Sequence, residues 1–145
     1  VPPSLIEGAR AGQEPTTILR LPSGWVFLHA QQFLRGYCLL CADPPLPSIN
    51  DCDPATRAQF LADMVTVGDA LLEVTHACRI NYFIAGNFNP VLHAHIVPRY
   101  LTEPDLYRKG PPWSYPQETM DSIDFDPHRD ADLMNSIRKA IQSRL

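Results

Sequence analysis

Two histidines separated by one residue, His93 and His95, lie in the run Gly86 to Tyr100 and are the residues best placed to do chemistry. In an extended segment alternate side chains share a face, so Val91, His93, His95 and Val97 point one way and Leu92, Ala94 and Ile96 the other. The second face is wholly apolar, as expected of a strand packed on a core. The first sets two imidazoles side by side, groups that titrate near neutral pH. Asn87 and Asn89 precede them in a loop punctuated by Gly86 and Pro90 and add uncharged hydrogen-bond donors.

An imidazole whose Nδ1–H is held by a carbonyl presents a neutral Nε2 lone pair that can attack phosphorus in line and form a phosphoramidate. A second imidazole on the same face could hydrogen-bond the phosphate or the bridging oxygen and steady the charge that develops there. A His-x-His pair also serves as two metal ligands, with His29, His76 or His128 as a third. No carboxylate lies close in sequence to His93, and the metal reading is therefore the secondary one. A purely structural pair is disfavoured, because two buried imidazoles on one face need partners.

Several elements must position this pair. Thr17–Leu21 and Trp25–His29 read as a β-hairpin with the three-residue connection Pro22-Ser23-Gly24, and Gly36–Ala42 as a third strand of an antiparallel meander. Asp53-Pro54 starts a long helix, with Asp as N-cap and Pro at the first position. From there Phe60, Leu61, Met64, Val67, Leu71, Leu72 and Val74 recur at helical spacing to about Cys78, with Asp63 and other polar residues between them. Ile80–Ala85 is the next strand and pairs directly with the histidine strand. Leu5, Ile6 and Ala9 could line a short helix ended by Gly12. Beyond Tyr100 the chain is polar and Pro-rich until a second cap, Asp126-Pro127, after which Leu133, Ile137, Ala140, Ile141 and Leu145 form one face of a terminal helix.

This order predicts an α+β fold, an antiparallel sheet of about five strands with the long helix packed on it and a C-terminal helix docked on the body. Residues 1–16 read as an N-terminal extension, 17–100 as the core, and 101–145 as a Pro-rich segment and helix on the same domain. The 145 residues, 45% apolar and 19% charged, suit one globular domain. A net charge of −4 argues against a nucleic-acid polymer as partner. With no membrane-length apolar run and no signal-peptide pattern at the N-terminus, a cytoplasmic location and no membrane partner are expected. Cys38 and Cys41 have C-x-x-C spacing but alternate to opposite faces of a strand, so they read as small buried residues.

The strand Val91 to Tyr100 resembles the active-site strand of the histidine triad (HIT) superfamily, whose signature is His-x-His-x-His followed by two apolar residues and often Pro-Arg. Aligned on Ile96-Val97-Pro98-Arg99-Tyr100, His93 falls on the middle, nucleophilic histidine, His95 on the last and Val91 on the first. The order of elements from Thr17 to Tyr100 also matches that fold. The resemblance implies a hydrolase or transferase acting on the α-phosphate of a dinucleoside polyphosphate or nucleoside phosphoramidate, resembling the diadenosine polyphosphate hydrolases. It implies a nucleotidyl-histidine on His93, with the holding carbonyl supplied by Val91, and a homodimer. It requires no cofactor for the covalent step, although a phosphate-bound Mg²⁺ could assist polyphosphates.

By the same resemblance Asn87 and Asn89 would meet phosphate or leaving-group oxygens, His29 or Gln31 the ribose hydroxyls, and Arg99 would add positive charge. Arg35-Gly36-Tyr37 matches a Pro-Gly-His that opens the family's third strand, which suggests a Tyr37–Val91 packing in place of a His–His contact. The alternatives are a nucleotide-binding protein with weakened catalysis and a His-x-His metal-dependent hydrolase.

Overall fold

The structure, a computed structural model, describes residues 3–145. Its centre is one antiparallel sheet of five strands in the order β1-β2-β3-β5-β4. The strands are β1 (Thr17–Leu21), β2 (Gly24–Leu28), β3 (Cys38–Ala42), β4 (Arg79–Phe83) and β5 (His93–Arg99). β3 is buried along its whole length and β2 almost so, as their continuous apolar runs require of central strands. The hairpin connection is two residues, not three, because Gly24 already pairs with Leu21. β3 begins at Cys38 because Gly36, at φ +93°, turns the chain just before it.

The helix α1 (Pro3–Arg10) precedes the sheet, and α2 (Pro54–Thr75) spans the step from β3 to β4. Asp53 caps α2 by accepting from the Thr56 N–H at 2.7 Å, with Pro54 at the first position. The helix ends at Thr75, short of Cys78, because His76 turns left-handed (φ 58°) while its N–H still reaches the Leu72 carbonyl. Asp63, expected among the outward polar residues, is buried. Its carboxylate accepts from the Ser23 N–H (2.9 Å) and hydroxyl (2.6 Å) and from Gln59 (2.8 Å), so it locks the β1–β2 turn onto α2. Leu61 and Leu72 are partly exposed, because the apolar spacing of α2 runs wider than the face it buries.

Beyond β5 come the short helices α3 (Asp105–Arg108) and α4 (Gln117–Met120) and then α5 (Ala131–Gln142). The terminal helix starts at Ala131 and not at Pro127. Asp126 spends its carboxylate on the N–H groups of His128 and Arg129, closing a separate turn, and its own N–H is held by Asp130 at 2.9 Å. Leu133, Ile137, Ala140 and Ile141 are buried as expected, whereas Leu145 lies past the helix end and is exposed.

Cross-strand partners share a face, and this divides the core in two. Leu28, Cys38, Leu40, Ala94 and Ile96 join α2 and α5 on one side. Phe27, Leu39, Cys41 and Val97 face the other side with Ile6 and Ala9 of α1 and Tyr115 of the tail. Cys38 and Cys41 thus point to opposite faces, and burial raises both thiol pKa values. Arg10 at the end of α1 pairs with Asp43, which also accepts from the Trp25 indole N–H at 2.9 Å, fastening α1 to the second face. Among the described residues no helix is long and apolar enough to cross a membrane.

Candidate active site

The register of the sheet places the histidines. His95 pairs with Leu39, Leu39 with Phe27 and Phe27 with Thr17, while His93 pairs with Cys41 and Cys41 with Trp25. These residues therefore form one floor, on the side of the sheet away from α2. α1 covers part of that floor and the segment after β5 covers another part. A cavity of about 760 Å³ remains, with His29, His93 and His95 at one end and Phe27, Leu39 and Leu5 along it. Its volume is in the range of small-molecule sites. Glu14 and Thr16, just before β1, also line it.

The His93 Nδ1 lies 2.7 Å from the Val91 carbonyl oxygen. A carbonyl only accepts, so the ring proton sits on Nδ1 and the neutral ring leaves Nε2 with a free lone pair. The His93 and His95 ring centres are 5.1 Å apart. On its other side His95 meets Tyr37, whose hydroxyl is 2.6 Å from the His95 Nδ1. The Tyr37 ring in turn stacks on His29, with centres 4.0 Å apart and planes 9° from parallel. His29 is fixed by the Gln31 N–H, which donates to its Nδ1 at 3.0 Å.

Burial holds all three imidazoles in their neutral form. It lowers the His29 pKa to about 4, and burial together with the neighbouring His93 and His29 lowers that of His95 to about 4. Burial also lowers the His93 pKa, against the opposing pull of the Val91 carbonyl. The unfolded chain, by contrast, takes up protons at these histidines below about pH 6.5. The unfolded state therefore binds more protons between pH 6.5 and 4. The stability contributed by neutral His29 and His95 is full above 6.5, falls as the pH drops, and levels off near 4. Between pH 7 and pH 5 the expected loss is roughly 2 kcal/mol for each of the two groups. Urea melts at the two pH values check this, and a His95→Asn variant should lose its share of the slope.

Of the residues predicted at the site, the structure brings His93, His95, His29, Asn87 and Asn89 to the cavity. The Asn loop is shaped by Gly86 at φ +77° and by the Val91 N–H bonding to the Asn89 carbonyl at 2.8 Å. Gln31 is not brought there: its amide donates to Asp121 at 2.6 Å, drawn away by the tail segment that bridges to it at Asp124. Nor is Arg99, which shares the parity of His93 but lies at the other end of β5. Its guanidinium is buried against Glu103, Asn81 and the carbonyls of Tyr107 and Gly110. His76 and His128 cap α2 and sit in the turn before α5, away from the pair.

Tyr37 does not substitute a Tyr–Val packing for a His–His contact. It touches His95 and His29 instead, because the β3–β5 register sets it beyond Leu39 on the floor that carries the histidines. Its parity with Leu39 and Cys41 was the signal in the sequence. The wall formed by Leu5, Glu14 and Thr16 had no such signal, since it depends on how α1 folds back over the sheet.

Comparisons with known proteins agree with this fold. The family model described as "HIT domain" matches residues 10–102. A histidine triad protein from Bradyrhizobium japonicum is 25% identical, with 92% of this chain and 95% of that chain covered and a TM-score of 0.71. A hypothetical histidine triad nucleotide-binding protein from Sulfolobus tokodaii is 16% identical over 97% and 92% of the two chains, with a TM-score of 0.73. A zinc-bound histidine triad family protein from Mycobacterium smegmatis is 20% identical over 95% and 94%, with a TM-score of 0.66. A search of the curated proteins finds no match. With the family model covering most of the chain and the five-stranded fold shared with these structures, the chain belongs to the HIT-domain family.

Proposed function

We propose that the chain is a nucleotide phosphohydrolase or nucleotidyl transferase acting on the α-phosphate of a nucleotide derivative, a dinucleoside polyphosphate or a nucleoside phosphoramidate. The observation that carries this reading is the His93 ring, held through Nδ1 by the Val91 carbonyl so that Nε2 is a free nucleophile at the cavity. A carbonyl does not depend on its side chain, so valine serves at position 91. The His93 Nε2 lone pair forms a bond to phosphorus. The bond from phosphorus to the leaving oxygen or nitrogen breaks, and the leaving group takes its electron pair, steadied by a hydrogen bond from the neutral His95 ring, and a proton from solvent water. Water then attacks the nucleotidyl-histidine, its proton returns to the solvent, and the N–P bond breaks to restore the His93 lone pair.

Asn87 and Asn89 donate to phosphate oxygens, and His29 borders the space for the ribose. The naming of the Sulfolobus relative as nucleotide-binding supports the substrate class. The covalent step as written uses no metal, and a phosphate-bound Mg²⁺ would assist polyphosphates. A homodimer in the cytoplasm is part of the same reading, and the apolar side chains Leu61, Val65 and Leu72 exposed on α2 supply a surface for a second copy.

The test is a mass-spectrometric trap. Metal-free protein is mixed with adenosine phosphoramidate or diadenosine polyphosphate, quenched at alkaline pH where a phosphoramidate survives, and searched for added nucleotide mass. An adduct on His93 is the expected result. Nucleotide binding without adduct or AMP release would overturn catalysis in favour of a binding protein. Turnover appearing only on addition of a transition metal would favour the metal-dependent reading that the zinc-bound Mycobacterium relative raises.

A further inference from the structure

We infer that Tyr37 is a positioning residue that sets the tautomer of His95, making its Nε2–H a hydrogen-bond donor to the leaving atom. The inference rests on the nucleotidyl-transfer reading for its consequence, but the tautomer itself does not. Tyr37 is buried, and among the described residues its hydroxyl has one hydrogen-bond partner, the His95 Nδ1 at 2.6 Å. If Nδ1 carried the ring proton it would donate to the phenol oxygen, and the hydroxyl hydrogen would then have no protein acceptor among the described residues. Such an orphaned donor is costly. If the hydroxyl donates to Nδ1 instead, both groups are satisfied and the proton of the neutral ring sits on Nε2. Burial raises the phenol pKa, so the hydroxyl keeps the proton that it donates.

The two imidazoles are thereby held in opposite tautomers by two different partners. The Val91 carbonyl accepts from His93 Nδ1 and bares its Nε2, while the Tyr37 hydroxyl donates to His95 Nδ1 and protonates its Nε2. One ring attacks and the other donates, although both stand on the same strand face 5.1 Å apart. Without an outside partner, two neutral imidazoles would each exchange between tautomers, and only a fraction of molecules would hold the productive pair. The stack on His29 at 4.0 Å keeps the phenol ring in place, and His29 is itself anchored through its Nδ1 by the Gln31 N–H.

The test reads the tautomer directly. In ¹⁵N-labelled protein without substrate, long-range ¹H–¹⁵N correlations at neutral pH should show His95 protonated at Nε2 and His93 protonated at Nδ1. Tyr37→Phe, which keeps the ring and its stack, should turn the His95 pattern into a mixture while leaving that of His93 unchanged. It should also lower kcat about tenfold or more on a substrate with a poor leaving group, far less on one with an activated aryl leaving group, with KM little changed. An Nδ1-protonated His95 in the wild type, or a His95 pattern indifferent to Tyr37→Phe, would overturn the inference. Should the variant fail to fold, the wild-type spectrum alone decides. Failure of the trapping experiment would overturn nucleotidyl transfer and leave this spectrum to decide the tautomer.

Discussion

Replacing His93 with alanine is expected to lower turnover of an adenosine phosphoramidate by roughly a thousandfold or more, since it removes the nucleophile of the covalent step. The loss should fall on kcat. The substitution would keep the backbone of β5 and leave the apolar floor of Phe27 and Leu39 untouched, so nucleotide affinity should stay within about tenfold, a difference of about 1.4 kcal/mol. His95→Ala should slow turnover less completely. The N–P bond can still form there, and only the hydrogen bond to the leaving group and the stabilisation of developing charge are removed. Stopped-quench kinetics with intact-mass detection separates the two variants. His93→Ala should give no nucleotidyl adduct at any time, and His95→Ala should form one slowly. Full activity in His93→Ala would refute the mechanism.

Arg99→Met is expected to destabilise the fold by about 3–5 kcal/mol, the range for breaking a buried ion pair by removing one partner. Both charged groups are 4% exposed, and the Arg99 Nη2 lies 3.0 Å from Glu103. The guanidinium also donates to Asn81 (2.8 Å) and to the carbonyls of Gly110 (2.7 Å) and Tyr107 (2.8 Å), so it ties β4 and β5 to the tail. Burial works against the Glu103 charge, but the bonds from Arg99, the Tyr100 N–H and the Tyr115 hydroxyl outweigh it and hold its pKa below the ordinary value. Without Arg99 the carboxylate is left buried with two neutral donors.

The depressed Glu103 pKa also sets a pH signature. A carboxyl of lowered folded pKa contributes stability above its unfolded pKa and loses it as the pH falls through the folded value. The gap between wild type and Arg99→Met should therefore be widest near neutral pH and narrow in acid. Thermal melts at pH 7 should show a fall of roughly 10 °C. At a temperature where the variant stays folded, KM should be nearly unchanged. A raised KM with intact stability would return Arg99 to the substrate.

Much of this protein could be read from local patterns. Alternation in residues 91–97 put His93 and His95 on one face and an apolar row on the other, and Asp53-Pro54 marked the start of α2. Such signals survive because they depend on backbone geometry over a few residues, which tertiary packing seldom overrides. The resemblance carried by Ile96-Val97-Pro98-Arg99 extended the reading from one strand to the fold, and the HIT family match bears that out.

The long-range partner of each polar side chain, by contrast, came from the packing. Arg99 has the parity of the histidines, yet the path of the tail brings Glu103 to it and makes it an internal tie. Gln31 follows Asp121 of the tail, and Asp63 follows Ser23 of a turn forty residues earlier in the chain. Tyr37 and His29 become neighbours of His95 because β3 lies between β2 and β5, an order that no local pattern encodes. Hydrogen bonding is directional and short in range, so a buried polar group takes the role of whatever the chain's return path delivers within about 3 Å of it. Residue types and their spacing singled out His93 and the strand that presents it. The sheet order and the path of the tail set what surrounds them.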